Sequence, residues 1–315
     1  MQNQVTKLIW RRHRRTFVLA GLLSMLVAVA NDLITLHGLN RTQGHYELVK
    51  ASINHWEVYN TSNFPAYSFW LLIVAWLLGL VLMNQDLTDN FNQFLFSSGF
   101  SRQRVYWTKL WQGLLAMLVI VSLTLAVQYG IFWVSLPARI GFHLAWPGLI
   151  TSWGYGLAGS LGMFAMCWFA ALIVGQTGAL VVTLIGFTLS LSGVAAIFEQ
   201  LDSNGGLGWN LSGAQVAWLS AGSWVVAALI LFIWGAYLYQ HLSLEHNGEY
   251  LLFPGLRVPV YIVFVVYVTG VNGFNGTDTY STIISFLVSA AFGYFWLWRP
   301  GIMAKWHRWR SQREG

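Results

Sequence analysis

The sequence predicts an all-α, polytopic bundle of membrane-spanning helices, and three observations predict it. Of its 315 residues, 56% are apolar and only 9% are charged, against about 25% charged residues in soluble domains. Several uninterrupted apolar runs reach the roughly 20 residues that a helix needs to cross a hydrocarbon core about 30 Å thick. No segment alternates apolar and polar residues with the period of two that a membrane barrel requires, and in lipid only helices and closed barrels satisfy their own backbone hydrogen bonds.

The elements follow in order. Lys7, Arg11, Arg12, Arg14 and Arg15 immediately precede an apolar run from Thr16 to about Leu36, which predicts a first span whose N-terminal side stays in the cytoplasm. A cleaved signal peptide is the rival reading, carried by Ala28-Val29-Ala30, but the run is long for a signal and the downstream chain is equally apolar. A polar and aromatic stretch from His37 to Ala66 predicts the largest external loop, and Tyr67 to Met83 the second span. Asn84 to Lys109 is water-compatible, and the third span follows from about Leu110 to Leu136. Pro137 and Pro147 break helix on either side of the next loop.

The fourth span, Leu149 to Val174, carries Gly154, Ala158 and Gly162 at four-residue spacing, a pattern that lets helix backbones approach closely and reads as a packing face. Gly175 to Gly178 turn the chain into a fifth span, Ala179 to Phe198, followed by a polar loop from Glu199 to Gly213. A sixth span covers Ala214 to Tyr239. Two more, Val258 to Val271 and Ser281 to Trp298, bring the predicted number to eight, the seventh being short enough to need its flanks.

Eight spans place both termini on one side, which the positive-inside rule tests. The five N-terminal bases, Arg102, Arg104, Lys109, Arg257 and the five of the C-terminal tail put fourteen of the seventeen bases inside. Only Arg41, Lys50 and Arg139 stay outside, with Glu47, Glu57, Glu199, Asp202, Asp278 and the sequons starting at Asn40, Asn60, Asn210 and Asn275. The net charge of +6 therefore sits where it meets anionic headgroups, and nucleic acid is not an expected partner.

Chemistry is sparse. There is no GxxxxGK[ST] to cradle nucleotide phosphates, and no HExxH, GxSxG or paired carboxylates, so the chain is not expected to be an enzyme or to bind a cofactor. Cys167 is the single cysteine, which excludes an internal disulfide or a cysteine zinc cluster and reads as a small packing residue. The histidines are dispersed, and no metal site is expected. Asp32, near the outer end of the first span, reads as an interfacial or packing acid ahead of a proton relay.

A transporter without its own energy source takes work from another chain at a cytoplasmic surface, and Asn84 to Lys109 is the surface suited to receive it. Asp86 and Asp89 stand where carboxylates favour a helix start. Phe91, Phe94 and Leu95 follow at helical spacing, Gly99 stops the helix, and Ser101 can cap the next. Two readings stay open on these grounds: a docking surface, or an ordinary interfacial helix with snorkelling bases.

The segment FLFSSGFSRQRVYWTKLW resembles the element between the second and third spans of ABC transporter permeases of the type-2 exporter class. Ser98 to Arg102 take the place of the family's short turn, without its usual proline, followed by Arg104, Tyr106 and Lys109. The resemblance implies a coupling helix within 86–100. Asp89, Phe91, Phe94, Leu95 and Phe96 would dock on a separate ATPase subunit, and Arg102, Arg104 and Lys109 would serve as membrane-side anchors.

It further implies a six-span permease core over 1–240 and a second membrane half, either another copy or a related permease. ATP and Mg would lie on the partner ATPase, the location would be a bacterial cell membrane, and the exported molecule would be a peptide, lipid-like or drug-like. The remainder, 241–315, with SLEHNGEYLLFPGLRVPVY, is similar to permeases of a Gram-positive, antibiotic-induced ABC transporter, which implies a further cytoplasmic contact through Glu245 and Glu249. The alternatives are a membrane sensor or immunity protein that binds a peptide through Tyr46 to Phe64 and Trp209, and an ion-coupled secondary transporter with related halves and buried charge.

Overall fold

A computed structural model of the chain describes residues 2–41, 69–89, 91–135, 146–188, 213–242, 251–274 and 279–314. Residues 42–66 of the expected first outer loop, with Tyr46 to Phe64, and Trp209, Glu245 and Glu249 lie outside the described residues, as do three of the sequon asparagines, Asn60, Asn210 and Asn275; His37 to Arg41 continue the first helix.

The described residues are almost wholly helical: α1 (Gln2–Arg41), α2 (Phe69–Thr88), α3 (Phe91–Ser97), α4 (Arg102–Ser135), α5 (Trp146–Ile173), α6 (Thr177–Thr188), α7 (Gly213–Gln240), α8 (Arg257–Phe274) and α9 (Thr279–Glu314). Six helices among them are long and apolar enough to cross a membrane, and up to seven if the bent pair of α2 and α3 makes one span. This is the all-α bundle that the composition predicts.

Two compact units divide the chain, one of 1–171 with 211–241 and the other of 172–210 with 242–315. In the first, α4 is the hub on which α1, α2 and α7 pack. The inner part of α5 fills the same core: Phe164, Cys167 and Trp168 are fully buried. Close approach explains two glycines. A Cβ on Gly79 of α2 would stand 2.5 Å from the carbonyl oxygen of Phe164, and one on Gly162 would run into the Trp224 ring of α7.

A fully buried aromatic group holds the hub. The Tyr106 hydroxyl of α4 donates to the carbonyl of Phe232 at 2.8 Å, and its ring meets Trp168 edge-on at 5.9 Å and Tyr239 at 5.5 Å. By contrast Leu19, Leu22, Leu26, Trp111, Leu115 and Val119 lie exposed on α1 and α4, as side chains facing lipid do.

In the second unit α8 and α9 form an antiparallel hairpin. The Asn272 amide donates to the Ser285 hydroxyl at 2.8 Å, and the Tyr261 hydroxyl to the carbonyl of Ala290 at 3.2 Å. Upstream, the backbone N–H of Leu252 donates to the carbonyl of Ile173 at 2.8 Å, and Val174 bridges Leu251. A short 3-10 turn, Pro254–Leu256, leads into α8, so the apolar stretch expected to be short is served by its flank over Pro254–Gly273.

Candidate functional site

A carboxylate within a spanning helix is costly unless it is paired, and Asp86, in the last turn of α2, is fully buried. Three bases converge on it. The Arg12 guanidinium donates through Nε to Oδ1 at 2.9 Å, the Lys109 ammonium lies 2.6 Å from Oδ2, and His13 Nε2 stands 3.1 Å from the same oxygen. Arg12 reaches on through Nη2 to Asp89, and its cationic centre lies 4.8 Å above the Phe91 ring.

The site has a second tier. Lys109 also donates to Asn92 Oδ1 at 2.5 Å, and the Tyr239 hydroxyl donates to that oxygen at 2.8 Å. Asn92 belongs to α3, Lys109 to α4 and Tyr239 to α7, while Arg12 and His13 come from α1 and Asp86 from α2. One polar node therefore ties five helices at one end of the first unit.

Local sequence explains how α3 comes to lie on this node. At the end of α2 the Thr88 hydroxyl donates back to the carbonyls of Asn84 and Gln85, each at 3.1 Å, and the chain bends by 64° into α3. After Ser98, Gly99 takes φ +80°, a left-handed conformation that disfavours other residues. The N–H of Phe100 bonds to the carbonyl of Leu95 and that of Gly99 to Phe96, the paired closure of a Schellman motif. The glycine stop expected at this position is thus the observed one.

The predicted residues divide between two faces. Phe94 is 53% exposed, whereas Leu95 is fully buried and turns away from any partner. Phe91 stacks on Phe94 at 6.1 Å beneath Arg12. Phe96 packs edge-on against Tyr239 at 5.8 Å, with the Arg102 guanidinium 5.0 Å above its ring. Asp89 is half exposed on the Arg12 side. The continuous apolar face expected from spacing is therefore split, because the seven-residue α3 uses Asn92 and Leu95 to seat itself.

Three placements differ from expectation. Asp86 closes α2 and does not open the short helix, since its charge is held by the converging bases. Lys109 is buried and spends its charge on Asp86, which keeps it from the headgroups. Arg102 donates to the carbonyl of Gln240 at 3.0 Å and so clamps α4 to the end of α7; Arg104 alone of the three expected anchors is exposed without a protein partner among the described residues.

On α5, Ala158 is buried and Gly162 receives Trp224 of the same chain, while a Cβ on Gly154 would meet nothing within 4 Å. The small-residue face is therefore occupied within this chain at Gly162. Asp32 is fully buried, with Gln128 of α4 donating to it at 3.3 Å, beside a Ser24–Thr124 hydroxyl pair at 2.9 Å on the same helix pair.

Sequence reasoning missed Arg12, His13, Asn92 and Tyr239 as members of a site. The readable signal was the pair Asp86 and Lys109, opposite charges at the two ends of the polar stretch between consecutive apolar runs. No family model, no curated protein and no solved structure matches this chain.

Proposed function

We propose that this chain is the membrane-spanning permease subunit of an ABC transporter, exporting a peptide, lipid-like or drug-like molecule with ATP hydrolysed on a separate ATPase subunit. One observation supports this reading above the rest: α3 leaves Phe94 exposed outward while Asn92 on its inner side is bonded to both α4 and α7. A helix that must convert a push from outside into movement of spans needs those two properties together. The reading carries with it eight spans, both termini in the cytoplasm of a bacterial cell, and a second permease subunit.

Purification from native membranes in mild detergent tests it. An ATPase is expected to accompany the wild-type chain and to be released by a Phe91→Asp/Phe94→Asp double substitution, and Phe94→Asp alone, at the exposed position, is expected to weaken its retention while the permease keeps its thermal stability. A preparation with no ATPase, or a double variant that retains it, refutes the proposal. Asp32 and Gln128, buried together within spans, favour a second reading as an ion-coupled transporter. Transport driven by an ion gradient without ATP, and lost in Asp32→Asn, would select that reading.

A further inference from the structure

A groove of about 550 Å³ runs along the start of α4, with Thr6 of α1 on its other wall. Ser101, Arg104, Thr108, Trp111 and Leu115 line it at alternating steps of three and four, which is a single stripe of the helix. From Arg104 to Leu115 that stripe rises about 16 Å at 1.5 Å per residue. This is longer than a headgroup layer and shorter than one leaflet with its headgroups, so the groove passes from the interface into the acyl region.

Its chemistry changes along that path. The Arg104 end is polar and exposed, with no protein acid in ion-pairing range among the described residues. Trp111, 61% exposed, and Leu115, 57% exposed, form the other end. One step past Trp111, Gln112 donates through Nε2 to the carbonyl of Thr6 at 2.9 Å and so fixes the α1 wall of the groove beside its apolar end. A guanidinium asks for an anionic phosphate, and exposed tryptophan and leucine ask for an acyl chain.

We propose that this groove is a binding site for a single phospholipid whose headgroup carries a net negative charge. Arg104 pairs with the phosphate, and one acyl chain lies along Trp111 and Leu115. A soluble phosphate ester supplies the first contact but leaves the apolar end uncovered. The site stands independently of the transport reading, because it uses only the groove and its position at a membrane interface.

Native mass spectrometry of the detergent-solubilised full chain tests the site, with phosphatidylglycerol, phosphatidylcholine and glycerol 3-phosphate as the probes. One phosphatidylglycerol should be retained per chain in preference to phosphatidylcholine. Arg104→Gln should weaken it about five- to ten-fold, the effect of one basic group beside a phosphate. Arg15→Gln, an exposed base elsewhere, should leave it unchanged. Trp111→Ala should weaken the lipid while sparing the fold, since that ring is exposed.

Equal retention of the two lipids overturns the proposal. So does an equal loss in Arg15→Gln, which would mark diffuse charge attraction, or binding of glycerol 3-phosphate as tight as the lipid, which would mark a soluble-anion site.

Discussion

Asp86 and Lys109 are 2.6 Å apart, and their side chains are 0% and 2% exposed, yet they should not be equally costly to remove. When Lys109→Met deletes the lysine, Asp86 still has Arg12 and His13 as partners. Asp86→Asn instead leaves a buried ammonium whose remaining close contacts are neutral oxygens, chiefly Asn92 Oδ1. Breaking a buried pair by leaving one charge uncompensated costs about 3–5 kcal/mol, which is the loss expected for Asp86→Asn. Losing a charged hydrogen bond while the carboxylate stays paired costs about 1.5–3 kcal/mol, which is the loss expected for Lys109→Met. The double variant no longer buries an unpaired ammonium and should lie near Lys109→Met alone. Equilibrium unfolding in mixed micelles, with sodium dodecyl sulfate as denaturant, measures all three. The reasoning is refuted if Lys109→Met is the costlier single variant, or if the double equals the sum of the singles within about 0.5 kcal/mol.

Other consequences can be measured in the same assay. Tyr239→Phe removes one of the two donors to Asn92 Oδ1 and should cost about 1 kcal/mol, the net worth of an ordinary hydrogen bond. Gly162→Leu puts a side chain where the Trp224 ring lies and should cost about 1–3 kcal/mol through overpacking; Trp224→Ala should return part of that loss when combined with it. Gly99→Ala forces a Cβ into a left-handed backbone and should cost about 1–2 kcal/mol. The loss should come from the α3 turn rather than from crowding, since a Cβ there meets nothing within 4 Å.

The helical, membrane-spanning character was legible because a membrane helix is a composition averaged over some twenty residues, a signal that survives without knowledge of any neighbour, and six of the described helices carry it. Gly99 was legible for a local reason too: the left-handed turn after Ser98 favours glycine. The polar node was not, because its members lie far apart in the chain and each has an adequate local explanation. Arg12 sits in a basic cluster that topology already accounts for, and Asp86 looks like a helix-start acid once α2 is assumed to end at Met83. The helix instead continues to Thr88, and that extra turn changes Asp86 from a surface acid to a buried one. Leu95 was misplaced for a related reason. Spacing assigns residues to a common face, but in a helix of two turns the seating residue decides which face points inward.

The α8–α9 hairpin bears on how the protein is made. Its two helices are joined by only 275–278, and they satisfy polar groups against one another through Asn272 with Ser285 and Tyr261 with Ala290. Gly293 lets the rings of Tyr261 and Phe264 close over the seam. Two helices that already bond to one another can enter the lipid as a pair, with the Asn272 amide and the Tyr261 hydroxyl shielded from it by their partners. Pairing of α8 with α9 then draws on no other helix, and it need not wait for α1 to fold.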